Sequence, residues 1–464
     1  MATVDDPYKG YREIGLEVLK KFGVRVWDSV KIEAESGRFE GVILPRNDMA
    51  DAHHIVLKLN TGYNVGVRAD RIKTVEIIGH KEGHYKVPQK EFPYDPEKPN
   101  IVLLGTGGTI ASRLDYTTGA VIPAFSPGEL FGAVPELAEI CNLQTYKVFG
   151  IFSEDMGPAQ YIPLAKRIYK EINDGAEGIL IGHGTDTMHH TAAILTFMVQ
   201  NPPIPIVIVG SQRSSDRPSS DAARNLINGA VAATGPIAEV MVCMFGPTSD
   251  KYGLLHRGTR VRKMHSSYRS TFRTLGDIPL ATVDRENGVK PIRKDYNPRG
   301  GVGKEFKIVP AFNERVTILY YYPNMQEDLI RAIVNAGYEG IVIAGTGLGH
   351  INRPLYGVIR WAIKQGVHIY MTVQTLWGYV QMFVYDNGRY LMDCGIVPLA
   401  NMLPEVAYMK LSWALGQSKD REEVKKIMLT PVNGEITERE RPDGYLVYQG
   451  GLPEIENFMR DYLL

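Results

Sequence analysis

Two short apolar runs in this chain break abruptly into strings of glycine, threonine and aspartate. Residues 178–181 read Gly-Ile-Leu-Ile and are followed at 182–187 by Gly-His-Gly-Thr-Asp-Thr. A second string, Gly-Thr-Gly-Gly-Thr-Ile at 105–110, follows another apolar run. A buried parallel strand delivers polar residues to the edge of an open α/β sheet in this way, and reacting groups belong at that edge. The pattern therefore predicts an α/β fold in which two threonine hydroxyls meet at one carbon atom.

The glycines of the second string suit either a binding site or a turn. Glycine permits positive φ and lets backbone N–H groups approach an oxyanion or a carboxylate closely. A tight turn whose threonines cap the next helix explains one such string more simply. Two strings after two strands favour a reactive site.

A threonine nucleophile needs a base, and one basic segment offers a candidate. The hydroxyl is a weak nucleophile until a neighbouring group takes its proton. Between residues 251 and 276 the chain has no acidic residue, and its cations after Lys251 are Arg257, Arg260, Arg262, Lys263, Arg269 and Arg273. Like charges would favour the neutral form of a lysine in such a cluster. A solvated basic loop or a phosphate-binding patch is an equally good interpretation.

Three motifs together resemble the L-asparaginase/glutaminase family. They are Thr-Gly-Gly-Thr-Ile-Ala at 106–111, His-Gly-Thr-Asp-Thr-Met at 183–188 and Arg-Val-Arg-Lys-Met-His at 260–265. Their order and spacing agree with that family, and the resemblance extends from about residue 100 to about residue 417. It includes Phe-Ser-Glu-Asp-Met at 152–156 and Val-Gly-Ser-Gln-Arg at 209–213.

The resemblance implies a catalytic set built on two threonines. Thr109 and Thr185 match the paired catalytic threonines, one of which accepts the acyl group. Lys263 matches the buried lysine that takes the proton of Thr185. Asp186 matches the aspartate that pairs with this lysine and also holds the α-amino group of the substrate. This arrangement follows the logic of a catalytic triad without histidine or serine.

The same resemblance implies the residues that bind and cover the substrate. Ser153 and Glu154 match positions that hold the α-carboxylate and α-amino ends of an amino acid. Tyr116 resembles the tyrosine of a loop that closes over the site and excludes water. One departure is His350, which stands where family members often have an asparagine that reaches a neighbouring subunit's site. It leaves the choice between glutamine and asparagine open.

Composition indicates an ordinary soluble protein with more than one domain. The chain has 464 residues, a net charge of zero and 44% hydrophobic residues, so no overall charge directs it to nucleic acid. Its three cysteines are scattered, which favours a reducing compartment, and we expect a cytoplasmic protein. No signal peptide or membrane span is predicted. Histidines cluster at 183–190 without the spacing of metal ligands, so we predict no metal site.

The pattern along the chain predicts an α/β, asparaginase-like two-domain parallel-sheet fold preceded by a small SH3-like β-barrel. Residues 8–22 indicate a helix, and short strands are predicted at 25–27, 39–44, 55–59 and 65–67. The predicted units are a barrel domain at 1–80, a linker at 81–99, a large catalytic domain at 100–295, a second linker at 296–310 and a smaller α/β domain at 311–464.

The N-terminal segment resembles the D-type subunits of the archaeal glutamyl-tRNA(Gln) amidotransferases. The matching segments are Gly-Val-Ile-Leu-Pro-Arg at 41–46, Lys-Leu-Asn-Thr-Gly-Tyr-Asn-Val-Gly at 58–66 and a C-terminal segment at 395–411. This implies a glutaminase that supplies ammonia to an E-type partner subunit, which converts Glu-tRNA(Gln) to Gln-tRNA(Gln). No cofactor is expected in this chain, since ATP and Mg²⁺ belong on the partner. The tRNA would be bound mainly by that partner, and the assembly would be a homodimer within a heterotetramer.

Two other functions remain open at this point. A free-standing cytoplasmic L-asparaginase with an accessory barrel would hydrolyse asparagine without a partner. A non-catalytic scaffold that binds RNA or protein would not depend on Thr185 or Lys263.

Overall fold

The computed structural model describes residues 6–46, 50–59, 64–80, 94–107, 112–115, 120–123, 134–213, 219–247, 249–441 and 444. The first unit is a small antiparallel sheet with one helix. Helix α1 spans Glu13–Lys21, and the strands are β1 (Asp28–Ala34), β2 (Gly37–Ile43), β3 (His54–Leu59), β4 (Asn64–Arg68) and β5 (Ile72–His80). The order is β4-β3-β2-β1-β5, and each neighbouring pair is antiparallel.

The core of this unit follows from strand alternation. Val30, Ile32 and Ala34 of β1 point to one face, because successive side chains of a strand point to opposite sides. They form a cluster with Leu19 of α1. The predicted small antiparallel β domain with an N-terminal helix is therefore present in the described residues.

Two boundaries predicted for this unit are wrong. The helix expected at 8–22 begins only at Glu13, because Gly10 has a φ of 78°. A Cβ at Gly10 would lie 1.8 Å from the Arg46 carbonyl oxygen, so this position requires glycine. With its positive φ, Gly10 forms a turn and not a helix. The strand expected at 25–27 is also a turn, in which the Arg25 N–H donates to the Asp28 carboxylate over 2.7 Å.

The second unit is built on an eight-stranded sheet with the order β18-β17-β14-β13-β12-β10-β6-β9. Its strands and their attached ribbons are β6 (Asn100–Gly107), β7 (Ser112–Asp115), β8 (Ala120–Pro123), β9 (Asn142–Ile151), β10 (Gly178–Gly182), β11 (Val199–Gln200), β12 (Ile206–Val209), β13 (Val240–Phe245), β14 (Gly253–Arg257), β15 (Val261–Lys263), β16 (Phe272–Thr274), β17 (Ala281–Asp284) and β18 (Gly288–Pro291). Strands β9, β6, β10, β12 and β13 are parallel to one another, whereas the pairs β13–β14, β14–β17 and β17–β18 are antiparallel.

Helices cover both faces of this sheet. They are α2 (Pro158–Asn173), α3 (Met188–Met198) and α4 (Ala222–Thr234). Ile179 and Ile181 of β10 lie in the cluster that contains α2 and α3, whereas Leu180 lies in the cluster that contains α4. A strand buried on both faces reads as a continuous apolar run, which is why residues 178–182 are recognisable in the sequence.

The third unit is a smaller parallel α/β domain. Its four-stranded sheet has the order β20-β21-β22-β23. The elements are β20 (Val316–Tyr320), α5 (Glu327–Asn335), β21 (Gly340–Gly345), α6 (Tyr356–Lys364), β22 (His368–Val373), α7 (Asp386–Asp393), β23 (Val397–Pro398), α8 (Pro404–Leu415) and α9 (Arg421–Leu429). Inside the segment predicted as the second linker, β19 (Lys307–Ile308) pairs with β11.

The second and third units share one apolar core. Helix α3 packs against α8, and the rings of Phe197 and Trp413 stack with centroids 5.8 Å apart. The same cluster includes Val342 and Tyr370 of the smaller sheet. Helix α8 therefore packs against both the larger domain and the sheet of the smaller domain. None of the helices in the described part of the chain has the length and hydrophobicity needed to cross a membrane.

Candidate active site at the carboxyl ends of the parallel strands

Neighbouring parallel strands end side by side at the candidate site. Gly105 of β6 pairs with Gly182 of β10, and Gly182 pairs with Val209 of β12. Thr106 is buried and donates a hydrogen bond to the Gly182 carbonyl over 2.9 Å. The ends of these three strands therefore lie side by side, as expected at the edge of an open α/β sheet.

Lys263 connects the two residues Thr185 and Asp186, which come shortly after β10. Its Nζ lies 2.9 Å from Thr185 Oγ1 and 2.7 Å from Asp186 Oδ1. The lysine side chain is 9% exposed, whereas that of Asp186 is 67% exposed. Thr185 is itself buried. A nearly buried amine thus lies between a buried hydroxyl and a carboxylate that faces solvent.

A short hairpin carries Lys263 to this position. Strand β15 pairs with β16, so that Lys263 lies opposite Phe272. Thr271 closes the connecting loop, because its hydroxyl accepts from the His265 N–H and donates to the His265 carbonyl, both over 2.7 Å. The Met264 N–H also donates to the Thr271 carbonyl. The loop after the lysine is therefore held by local hydrogen bonds.

The turn that carries Thr185 is fixed by a neutral histidine. Burial lowers the pKa of His183 to about 4. Its Nδ1 is 2.6 Å from the Gly184 carbonyl and its Nε2 is 2.8 Å from the Thr191 hydroxyl. Since a carbonyl only accepts, Nδ1 carries the proton and Nε2 accepts from Thr191. His183, which belongs to the histidine cluster noted in the sequence, thus has a structural role.

Ser153 lies against the same turn. It begins the 3-10 turn Ser153–Asp155 that follows β9, and it is buried. A Cβ at Gly184 would lie 2.7 Å from the Ser153 Cβ, so only glycine allows this approach. Thr187 also donates to the Ser153 carbonyl over 2.5 Å. Glu154 follows in this turn and is exposed, which leaves its carboxylate accessible at the rim.

Two of the predicted site residues, Thr109 and Tyr116, lie outside the residues that the structure describes. Strand β6 ends at Gly107, which has a φ of 117°. A Cβ there would lie 2.3 Å from the Ile151 carbonyl oxygen at the end of β9. The described part of this motif therefore ends beside the strand that leads to Ser153.

Two arginines of the basic segment are neutralised by acidic residues that lie outside it. Arg257 pairs with the buried Glu239 over 2.7 Å, and Arg262 pairs with Glu405 over 3.4 Å. Arg260 is fully buried and donates to the backbone and side chain of Asn401. The partners come from distant parts of the chain, so a window without acidic residues gave no sign of them.

A pair of histidines lies behind the candidate site. His189 and His190 lie in the first turn of α3, and their ring centroids are 4.3 Å apart. Burial lowers the pKa of His190 to about 4, and that of His189 falls well below its usual value, with Arg262 contributing in both cases. Both rings are therefore neutral. Within the described ranges there is no group of three or more His, Cys, Asp or Glu residues that could hold a metal ion.

Asp221 is a residue of this edge that sequence reasoning missed. It is fully buried and accepts from the N–H groups of Gln212 and Arg213 and from the Ser211 hydroxyl, each over about 3.1 Å. It thereby fixes the segment that follows β12. In sequence, an aspartate just before a helix looks like a cap, so the loop it holds was not apparent.

His350, the departure noted in the sequence, lies after β21 in the smaller domain. Its carbonyl accepts from the Thr346 N–H over 2.9 Å, and its ring meets that of Tyr385 edge-on, with centroids 5.5 Å apart.

Three family models match successive parts of the chain. They are the GatD N-terminal domain at residues 24–78, the N-terminal asparaginase domain at 100–295 and the glutaminase/asparaginase C-terminal domain at 315–428. The asparaginase-like α/β fold predicted from the sequence is confirmed. Its extra N-terminal unit is the part that the GatD model matches.

Curated relatives match over nearly the full chain. The D-type subunit of the glutamyl-tRNA(Gln) amidotransferase of Pyrococcus furiosus is 46% identical over 442 residues, covering 93% of this chain and 99% of that protein. The corresponding protein of Thermococcus kodakarensis is 45% identical over 438 residues, covering 93% and 98%.

Solved L-asparaginases share the fold of the two larger units. The enzyme of Thermococcus kodakarensis has a TM-score of 0.65 and 31% identity, covering 73% of this chain and 99% of that one. L-asparaginase I of Vibrio cholerae has a TM-score of 0.62 and 28% identity, with coverage of 73% and 99%.

Proposed function

This chain belongs to the D-type family of glutamyl-tRNA(Gln) amidotransferase subunits, and on that premise we propose that it is the glutaminase of a tRNA-dependent amidotransferase. It hydrolyses glutamine to glutamate and releases ammonia. An E-type partner subunit activates Glu-tRNA(Gln) with ATP and Mg²⁺ and uses the ammonia to form Gln-tRNA(Gln). This chain forms a homodimer within a cytoplasmic heterotetramer, and the tRNA contacts mainly the partner.

One observation carries the catalytic part of this proposal: the Lys263 amine reaches both Thr185 and Asp186. In its neutral form the amine accepts the Thr185 proton, and the resulting ammonium is stabilised by Asp186. One of the two threonines, Thr109 or Thr185, attacks the side-chain amide carbon and gives up its hydroxyl proton: Thr185 gives it directly to the lysine, whereas Thr109 would give it to Thr185 as Thr185 passes its own proton to the lysine. The C–N bond breaks, ammonia leaves with a proton returned from the lysine, and water then hydrolyses the acyl-enzyme.

The residues around this core suit an α-amino acid. Glu154 and Asp186 present exposed carboxylates to the α-ammonium group. The Ser153 hydroxyl lies beside the catalytic turn, where it can donate to the α-carboxylate. Tyr116 is proposed to close over the bound substrate and to exclude water before acyl transfer.

A free-standing L-asparaginase is the second candidate, since solved L-asparaginases match 73% of the chain. It leaves the N-terminal antiparallel unit without a role. In this case asparagine would be hydrolysed as fast as glutamine, and the partner would have no effect.

The test measures ammonia release from glutamine and from asparagine by the purified chain. Each assay is run with the chain alone and with the chain plus the partner, Glu-tRNA(Gln) and ATP. A Thr185→Val variant gives the background rate of ammonia release. Glutamine hydrolysis that rises only in the complete mixture supports the proposal. Rapid asparagine hydrolysis by the chain alone would support the asparaginase instead, and activity retained in Thr185→Val would contradict both.

A further inference from the structure

A partly buried ion pair adjoins the candidate catalytic lysine in the chain. Arg262 precedes Lys263 in β15, and its Nη1 is 3.4 Å from Glu405 Oε2. Arg262 belongs to the larger domain, whereas Glu405 lies in the first turn of α8 in the smaller domain. The Glu405 side chain is 5% exposed and that of Arg262 is 28% exposed. The pair therefore joins the two domains one residue away from the candidate base.

Stability alone does not account for Glu405 at this position. Burial raises the pKa of its carboxyl, and Arg262 opposes that rise. Its second oxygen, Oε1, has no hydrogen-bond partner among the described residues. Burying a carboxylate with an unsatisfied oxygen is unfavourable, and an apolar side chain of similar volume often stabilises such a site. A role beyond folding would explain the carboxylate.

Strand geometry shows what the pair can control. Arg262 lies on one face of β15, whereas Lys263 lies on the other, because side chains alternate along a strand. Arg260 is also tied to the smaller domain, since its guanidinium donates to the Asn401 carbonyl over 2.9 Å and to Asn401 Oδ1 over 3.0 Å. Arg260 and Arg262 thus connect β15 and the turn before it to the smaller domain, and Lys263 lies in the same strand.

The strand that carries Lys263 is short. Among the described strands, β15 has three residues and pairs with β16 in a two-stranded ribbon. Val261 and Phe272 anchor this ribbon in the core that the two domains share, and the contacts of Arg260 and Arg262 with the smaller domain add to that support. A shift of about 1 Å in a catalytic group can lower a rate by up to roughly a hundredfold. A shift of the backbone at residue 262 would also move the adjacent Lys263. It would therefore change the distance between the Lys263 amine and the Thr185 hydroxyl.

We propose that Glu405 and Arg262 are positioning residues that hold Lys263 within reach of Thr185 and make the smaller domain part of the catalytic machinery. This rests on the proposed amidase function and extends it. Neither residue is assigned a contact with substrate. Their effect is on the step that the lysine assists, so it appears in kcat and leaves KM nearly unchanged.

Kinetics of four variants test this pair. We expect Glu405→Met and Arg262→Met each to lower kcat for glutamine at least about tenfold, with KM within about twofold of the unmodified chain. The double variant should lose no more than either single variant, because both remove one shared contact. Glu405→Gln retains an acceptor for Arg262 and should recover most of the activity.

The matched control perturbs a second ion pair of α8, which is fully buried. Lys410 lies 2.6 Å from Glu435, and both side chains are fully buried. Glu435→Gln should lower the melting temperature without changing kcat per folded molecule. If Glu405→Met lowers kcat no more than this control, or if the effects of the single variants add, the positioning role is wrong.

Crystal structures of the variants keep the inference testable without activity. In Glu405→Met the Lys263 Nζ should move beyond hydrogen-bond distance of Thr185 Oγ1, whereas in Glu435→Gln it should not. An unchanged distance in Glu405→Met would overturn the inference. An unmodified protein that releases ammonia from neither amide, in any mixture, would instead refute the proposed function.

Discussion

Replacing Lys263 by methionine should separate catalysis from folding. Methionine retains most of the length of the side chain and removes the amine that lies 2.9 Å from Thr185 Oγ1. Loss of a positioned base lowers a rate by roughly 10²–10⁴-fold. We expect a loss of about 10³–10⁴-fold here, because the lysine and Asp186 act as one unit with the hydroxyl. That corresponds to about 4–5.5 kcal/mol of activation free energy.

The same substitution should have little effect on stability. The ionic partner of Lys263, Asp186, is 67% exposed, and a pair with an exposed partner contributes at most about 1 kcal/mol to unfolding. Ammonia release at saturating glutamine, measured beside a thermal melt of the same preparation, compares the two effects. Lys263→Arg is the control for charge: it retains a cation for Asp186 but cannot act as a base at neutral pH, so it should be equally inactive.

Two results would refute this reasoning. Lys263→Met with more than about a tenth of the normal kcat would show that another group takes the Thr185 proton. Activity in Lys263→Arg with an unchanged pH profile would show that the lysine acts only through its charge.

Three further predictions concern the nucleophile, the fold and pH. In trapping experiments on Thr109→Val and Thr185→Val, one variant should fail to form an acyl-enzyme. If neither variant forms a covalent adduct and both remain active, neither threonine is the nucleophile. Glu239→Ala leaves the Arg257 guanidinium buried and unpaired, so denaturant unfolding should show a loss of about 3–5 kcal/mol, and a loss below about 1 kcal/mol would contradict a buried pair. His183 is neutral when folded, with its pKa lowered to about 4, so its contribution to stability is complete above its ordinary pKa near 6.5 and is lost as pH falls towards 4. The slope is up to about 1.4 kcal/mol per pH unit, and His183→Gln should flatten the stability curve in that window; an unchanged curve would show that folding does not lower the pKa of this ring.

The sequence predicts the elements of this fold better than their ends. Strand β10 is recognisable because it is buried on both faces and therefore apolar throughout. The start of α1 was misplaced because it depends on the contact of Gly10 with Arg46, which local periodicity does not contain. Element boundaries depend on such distant contacts more than element types do.

Long-range pairing limits what could be predicted of the site. Lys263 and Thr185 are 78 positions apart in the chain, and only a family resemblance suggested that they meet. Arg262 and Glu405 are 143 positions apart, and no local pattern indicated their contact. Arg257 and Arg262 have acidic partners on other elements of the fold, which the local sequence does not show.

The central claim is that this chain's threonine site supplies ammonia for tRNA amidation by a partner. The most direct measurement is Gln-tRNA(Gln) formation by the reconstituted complex carrying Thr185→Val, with either glutamine or ammonium chloride as the nitrogen source. The account predicts that formation from glutamine falls at least about a thousandfold, whereas formation from ammonium continues at the unmodified rate. Formation from glutamine at the unmodified rate would contradict it.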